Sequence, residues 1–157
     1  MPRHPYKKKT TTPDPIYNSL EVTKLINYLM KDGKKTVAQK IVYEALNNLK
    51  KDGKDSLKLL QQAIANVTPN LEVKPRRLGG ASYLVPIEVR PARKLFLALN
   101  WIVNAAASRS NKEYKTFANK LVAELDEAAK NQGQAVAKRL QTEKLAAANR
   151  AFGHLKW

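Results

Sequence analysis

Cysteine is absent from the chain, and histidine occurs only twice, as His4 and His154, one near each end. Without thiols there can be no disulfide and no thiolate metal site, and two histidines so placed make no transition-metal centre. The lack of cysteine fits a reducing compartment. Carboxylates are scarce as well, with 13 Asp and Glu against 29 Lys and Arg. The adjacent pair Asp126 and Glu127 cannot face one substrate, because consecutive helical residues diverge, so it reads as a solvated helical face. Neither G-x-G-x-x-G nor G-x-x-x-x-G-K-[ST] occurs, and no nucleophile–base pair stands out. The expectation is a protein that binds without turnover, with no cofactor, no metal and no small-molecule substrate. No apolar stretch approaches the ~18 residues of a membrane span. The opening Met1-Pro2-Arg3-His4-Pro5-Tyr6-Lys7-Lys8-Lys9 also lacks the apolar core of a signal peptide.

What is present suffices for a fold. Hydrophobic residues make up 43% of the 157, too many for a wholly disordered chain and enough for one domain with a core. The net charge of +16 and pI near 10.1 imply self-repulsion unless a polyanion neutralises it. Nucleic acid is the first candidate partner and an anionic membrane surface the second.

The most informative stretch runs from Glu72 to Lys94. Two β-favouring runs, Glu72–Leu78 and Tyr83–Val89, flank Gly79-Gly80-Ala81-Ser82, and adjacent glycines there mark a hairpin. Pro75 and Pro86 cannot donate to a ladder, so a two-stranded ribbon suits both, each strand keeping a free edge. Pro91 suits the first turn of a following helix. Lys74, Arg76, Arg77, Arg90, Arg93 and Lys94 outnumber Glu72 and Glu88. The expectation is a basic nucleic-acid-binding arm, the competing reading being a solvated cationic loop.

Around it the pattern is helical. Residues 1 to about 17, with prolines at 2, 5, 13 and 15, read as an irregular basic arm, either ordering on an anionic partner or merely solubilising. Helix one is expected over Leu20 to Lys31, capped by Asn18 or Ser19 and stopped at Asp32-Gly33. Thr36-Val37-Ala38-Gln39 reads as a capping box opening helix two, which ends near Asp52-Gly53. Asp55 or Ser56 caps helix three. Helix four starts near Pro91, and Ser110-Asn111-Lys112-Glu113 reads as a second capping box for helix five. Helix six runs from about Gln134 to Asn149. The expected fold is mainly α: a compact bundle of about six helices with one protruding two-stranded β-ribbon between helices three and four. A single domain over 1–157 would comprise an arm at 1–17, a ribbon at 72–90 and a tail at 150–157. Trp101 reads as a core aromatic. Tyr83 would stack on an unpaired base or pack across the ribbon, and Phe152 would stack or dock the tail onto the body. Trp157, beside cations, is a stacking candidate.

Glu72-Val73-Lys74-Pro75-Arg76-Arg77-Leu78-Gly79-Gly80-Ala81-Ser82-Tyr83, continued by Val85-Pro86-Ile87-Glu88-Val89-Arg90-Pro91, resembles the signature of the small-subunit ribosomal protein seven family. Asp14-Pro15, Asp32-Gly33-Lys34-Lys35, Trp101-Ile102-Val103, Ala148-Asn149-Arg150-Ala151-Phe152 and the closing tryptophan extend the likeness almost end to end. The resemblance implies a protein of the small-subunit head, in a cytoplasmic or organellar ribosome. It would bind the 3′ major domain of small-subunit ribosomal RNA and nucleate head assembly. Arg3, Lys7, Lys8, Lys9, Lys34, Lys35, Arg93, Lys94, Lys138 and Arg139 would hold ribosomal RNA. Lys74, Arg76, Arg77, Gly79, Gly80, Tyr83, Arg150 and Trp157 would lie near exit-site transfer RNA and the messenger RNA exit path. Neighbouring head and platform proteins would be partners, with no membrane contact. The C-terminal part departs from the family pattern: Ala137-Lys138-Arg139, Leu140-Gln141, Glu143 and Leu145 stand where a basic triplet, an acidic pair, His and Met are usual, and Leu155 replaces an aromatic. Two rival readings stand beside this one. An architectural DNA-binding protein would wedge Pro75 or Leu78 into a minor groove, and an RNA-modifying enzyme would need an exposed acid–base pair.

Overall fold

The computed structural model describes residues 11–51, 53 and 55–155. Six α-helices, a two-stranded antiparallel hairpin and a closing 3₁₀ segment follow one another: α1 (Leu20–Leu29), α2 (Lys35–Lys51), α3 (Ser56–Val67), β1 (Leu71–Leu78), β2 (Ala81–Glu88), α4 (Pro91–Ser108), α5 (Phe117–Ala129), α6 (Gln134–Ala148) and the 3₁₀ segment Arg150–Leu155. The mainly helical class with a hairpin between the third and fourth helices is as the sequence pattern implies.

The core is built from helical faces spaced three and four residues apart. Leu25 and Ile26 of α1, Leu46 and Leu49 of α2, Leu60 of α3, Leu99 and Ile102 of α4, and Leu121 and Leu125 of α5 are fully buried. Each such side chain contributes ~1.5–3 kcal/mol relative to exposure. Helix α5 packs against α2, α3 and α4, and so lies at the centre of the bundle.

Local starts and stops differ from expectation at four places. Helix α1 ends at Leu29 rather than Lys31: Met30 turns to ψ 130° and its N–H bonds the Ile26 carbonyl at 3.0 Å. Neither Asn18 nor Ser19 caps α1 through its side chain. Asn18 takes a left-handed φ of 45°, and Ser19 occupies the cap position with no side-chain bond. The order ahead of α1 comes from buried Asp14, whose carboxylate accepts the N–H groups of Ile16 and Tyr17 at 3.1 Å each and the Tyr43 hydroxyl at 2.7 Å.

Helix α2 begins at Lys35, so Thr36 lies inside it and the expected capping box does not form. Asp32 and Gly33 both adopt positive φ, 52° and 71°, which reverses the chain so sharply that the Lys35 N–H already reaches the Gly33 carbonyl at 2.8 Å. Helix α5 begins at Phe117, not after Ser110. The Ser110 oxygen accepts the N–H two residues on, from Lys112 at 3.2 Å, and so holds a turn, while Thr116 is the cap, accepting from Asn119 N–H at 3.3 Å. Asp55 caps α3 as expected. Its carboxylate accepts the Lys58 N–H at 3.4 Å, a bond that holds its pKa below the ordinary value.

A buried ionic network fastens α4, α5 and α6 together. Arg109, just past α4, donates through Nε to Glu124 at 2.9 Å and through Nη1 to Glu127 at 3.0 Å and the Tyr114 hydroxyl at 3.2 Å. Its Nη2 bonds both carboxylates at 2.5 Å. Glu124 is 0% exposed, and its other oxygen accepts the Ala135 N–H at the start of α6, at 3.0 Å. Lys120 Nζ meanwhile donates to the Arg109 carbonyl at 2.5 Å and Asn111 Oδ1 at 2.6 Å. The hydrogen bonds with Glu127 and then Glu124 hold the Arg109 pKa above the ordinary guanidinium value, against desolvation. Glu127 is therefore not the idle solvated carboxylate its sequence position implies.

Candidate nucleic-acid interface

The hairpin turn is tighter than its sequence spacing implies. Only Gly79 and Gly80 form it, at φ 53° and 88°, and the strands close directly on them as Leu78↔Ala81. Two consecutive positive φ values are what a type I′ turn requires, and it matches the twist of the flanking strands. In such a two-residue hairpin Leu78↔Ala81 is a hydrogen-bonded pair, and alternation makes Pro75↔Leu84 and Val73↔Pro86 non-bonded pairs. Both prolines thus occupy positions whose N–H would point away from the partner strand, so neither costs a ladder bond. The same alternation places a bonded pair at Asn70 and Val89, where the Val89 N–H reaches the Asn70 carbonyl at 3.1 Å.

The ribbon is anchored at its base and bare at its tip. Val85 and Pro86 are buried, and β1 packs on α6 while β2 packs on the 3₁₀ segment. Residues from Arg77 to Ser82 are exposed, including Leu78. Arg76 and Arg77, read together in the sequence, point to opposite faces because strand side chains alternate. Arg76 sits across from Tyr83 in register and is half-buried, whereas Arg77 pairs with Ser82 on the other face. Tyr83 meets the Phe152 ring at 5.2 Å between centroids, so the 3₁₀ segment docks on the ribbon. Phe152 thus docks the tail chiefly on the ribbon, where the expected docking surface was the body. Tyr83 packs on the 3₁₀ segment and stands opposite Arg76 in the ribbon.

Three of the residues expected to hold ribosomal RNA, Arg93, Lys94 and Arg139, converge with Lys74 of the exit-site set where the ribbon leaves the bundle. Arg93 donates to both Glu72 oxygens at 2.7 and 2.9 Å, and Lys74 lies 3.8 Å from the same carboxylate. Lys94 Nζ bonds Asn70 Oδ1 at 2.9 Å, and the Asn70 N–H donates to Glu143 at 3.2 Å. Glu143 in turn lies 4.0 Å from Arg139 on α6. Buried Glu72 and half-buried Glu143 thus collect Lys74, Arg93, Lys94 and Arg139 around one corner, leaving a local excess of cations. Glu143, one of the departures from the family pattern, is what ties α6 to this corner.

The other expected residues are distributed. Lys34 and Lys35 are exposed at the sharp α1–α2 joint, and Lys34 shares a hollow with Lys31, Leu29, Val37 and Phe117. Lys138 is exposed on α6, and Arg150 is exposed at the start of the 3₁₀ segment. Arg3, Lys7, Lys8, Lys9 and Trp157 lie outside the described residues. Lys40, Lys50 and Lys51 line an open hollow on α2 with Tyr43, and Lys50 stands 4.6 Å above the Tyr17 ring. Sequence reading passed over these lysines because they are scattered along a helix rather than clustered in a motif.

Comparison with known proteins decides the family. The family described as Ribosomal protein S7p/S5e matches residues 1–150. The chain belongs to this family. Relatives in the S7p/S5e family include "Small ribosomal subunit protein uS7" of Caldicellulosiruptor bescii, 52% identical with both chains covered entirely. The protein of the same name from Caldanaerobacter subterraneus is 50% identical, again over the whole of both chains. That of Moorella thermoacetica is 50% identical over 96% of this chain and 95% of its own. The S7p/S5e family is one of structural, RNA-binding ribosomal proteins of translation, not of enzymes. Among the described residues no helix is long and apolar enough to cross a membrane.

Proposed function

We propose that this protein is a structural constituent of the small ribosomal subunit. It binds the 3′ major domain of the subunit's RNA, nucleates assembly of the head, and lays its ribbon beside the transfer RNA exit site and the messenger RNA exit path. The observation that carries the reading is the cationic corner of Lys74, Arg93, Lys94 and Arg139. It stands where a bare-tipped basic ribbon joins a rigid helical body. Lysines there neutralise phosphates and release counterions, while arginine makes forked hydrogen bonds. Because A-form helices hide their deep groove, the RNA is recognised by folded shape and junctions. The body then holds RNA helices in one relative orientation, which is what nucleation of assembly requires. Arg77 and the Gly79-Gly80 tip extend toward exit-site RNA, and head and platform proteins are neighbours.

Filter binding to a transcript of the 3′ major domain across a salt series tests this. With about eight phosphates engaged, the log–log salt slope is near ~−6, and replacing Lys34 and Lys35 by alanine makes it shallower by ~0.7 for each phosphate left unneutralised. Tight binding that survives duplex DNA and unrelated folded RNA as competitors is the expected result. Equal loss to every polyanion would instead favour an architectural DNA-binding protein.

A further inference from the structure

Between α4 and α6 lies a cleft of about 330 Å³, lined by Asn100, Trp101, Asn104, Ser108, Gln134 and Lys138. Trp101, expected in the core, is one of its lining residues. The residue is half-buried: it packs against the core and also lines the cleft. Such backing makes it a fixed platform. Asn100 and Asn104 stand one turn apart beside it and touch each other only through a long 3.4 Å bond. Both amides therefore keep donors and acceptors to offer. Ser108 donates to Gln134 at 2.6 Å and closes one end of the cleft. The lining contains no carboxylate, and its one charge is the exposed Lys138.

We infer that this cleft is a binding site for one unpaired nucleotide of single-stranded RNA. A fixed indole offers a stacking surface, paired amides match the mixed donors and acceptors of a base edge, and a lysine at the rim meets the phosphate. The absence of any acid removes the repulsion a phosphate would meet. Helix α6 also connects the cleft to the cationic corner. Lys138 lines the cleft, and the next residue, Arg139, turns toward Glu143 and the ribbon base. A strand leaving the corner can thus place one base on Trp101. The site rests on the RNA-binding reading above and adds a base-recognition element to it.

The test uses the full-length protein and a 3′ major domain transcript carrying iodouridine, with ultraviolet crosslinking and peptide mapping. The expected result is a crosslink to Trp101. In filter binding, Asn104→Ala, an exposed position that leaves the core intact, weakens affinity roughly three- to tenfold, as for one missing hydrogen bond. Lys138→Ala lowers the salt slope by ~0.7. Trp101→Phe, which keeps a ring on the core, retains the fold and loses part of the affinity. If the transcript binds tightly, crosslinks only to the ribbon or the α1–α2 joint, and binds both alanine variants as it binds the wild type, the nucleotide site is refuted and the ribosomal RNA reading stands. That pattern, with a purified protein partner weakened by Asn104→Ala, would make the cleft a protein-docking surface. If the transcript does not bind the wild-type protein at all, both readings fall.

Discussion

Replacing Arg109 by leucine provides the sharpest test of what holds the bundle together. Glu124 is fully buried, and its paired cation is the Arg109 guanidinium, held by bonds at 2.5 and 2.9 Å. Removing that cation leaves a carboxylate in the core with only the Ala135 N–H at 3.0 Å. Breaking one side of a buried pair costs ~3–5 kcal/mol, because the surviving charge stays desolvated. For a chain of this size each kcal/mol moves the melting temperature by ~2–4 °C, so Arg109→Leu should melt ~6–20 °C lower. The contrasting variant is Glu127→Ala. Its side chain is 43% exposed, so solvent screens the broken pair and the cost stays within ~1 kcal/mol. Circular-dichroism melts and urea titrations of the two variants, run side by side, measure both. Arg109→Leu melting within 2 °C (roughly 1 kcal/mol) of the wild type would refute the argument that Glu124 depends on this cation.

Gly133 makes a second test: at φ 91° an added Cβ would lie 3.1 Å from an oxygen of each of Glu124 and Glu127. Gly133→Ala should therefore lose more in urea titration than Gly79→Ala, where the ~1–2 kcal/mol of left-handed strain stands alone in open space. Tyr43 has its pKa raised from 10.0 to about 12, by desolvation first and by Asp14 second. Its protonated form is the one the fold favours, so this stabilisation is whole below pH 10 and fades as pH rises toward 12. Phenolate absorbance should show Tyr43 titrating late, and Asp14→Asn should bring it earlier. At the α5 start, Thr116→Ala should cost ~1 kcal/mol in urea titration and Ser110→Ala no more than ~0.5 kcal/mol, the reverse of what a capping box at Ser110 requires.

The ribbon was legible because its rules are local: adjacent glycines, one proline in each strand and flanking β-formers all act within a few residues. Helix interiors were legible for the same reason, through apolar spacing. Helix starts were not, because Ser110 and Thr116 offer the same chemistry. Only the path of the chain decides which oxygen meets an N–H. The Arg109–Glu124 pair leaves no sequence signal at all, since its members belong to different elements and neither spacing nor composition marks them. Tyr83 and Phe152 meet only once α6 has returned the chain to the ribbon. Of the candidate interface, the abundance of cations was plain, but their gathering was not. Glu72 and Glu143 determine which of them share a corner, and an acid's role as organiser of cations is visible only in three dimensions.

The positions of Pro75 and Pro86 have a consequence beyond the ladder. Each proline removes a donor from the outward edge of its own strand, one on each side of the ribbon. A second ribbon approaching edge-on would find its row of hydrogen bonds interrupted at exposed Pro75 on the β1 side, while on the β2 side Pro86 is already covered. Newly made copies can therefore stay separate at high local concentration, with the hairpin tip bare to water, without one templating the next. The feature that suits a sheet of only two strands also keeps it from growing into a fibre.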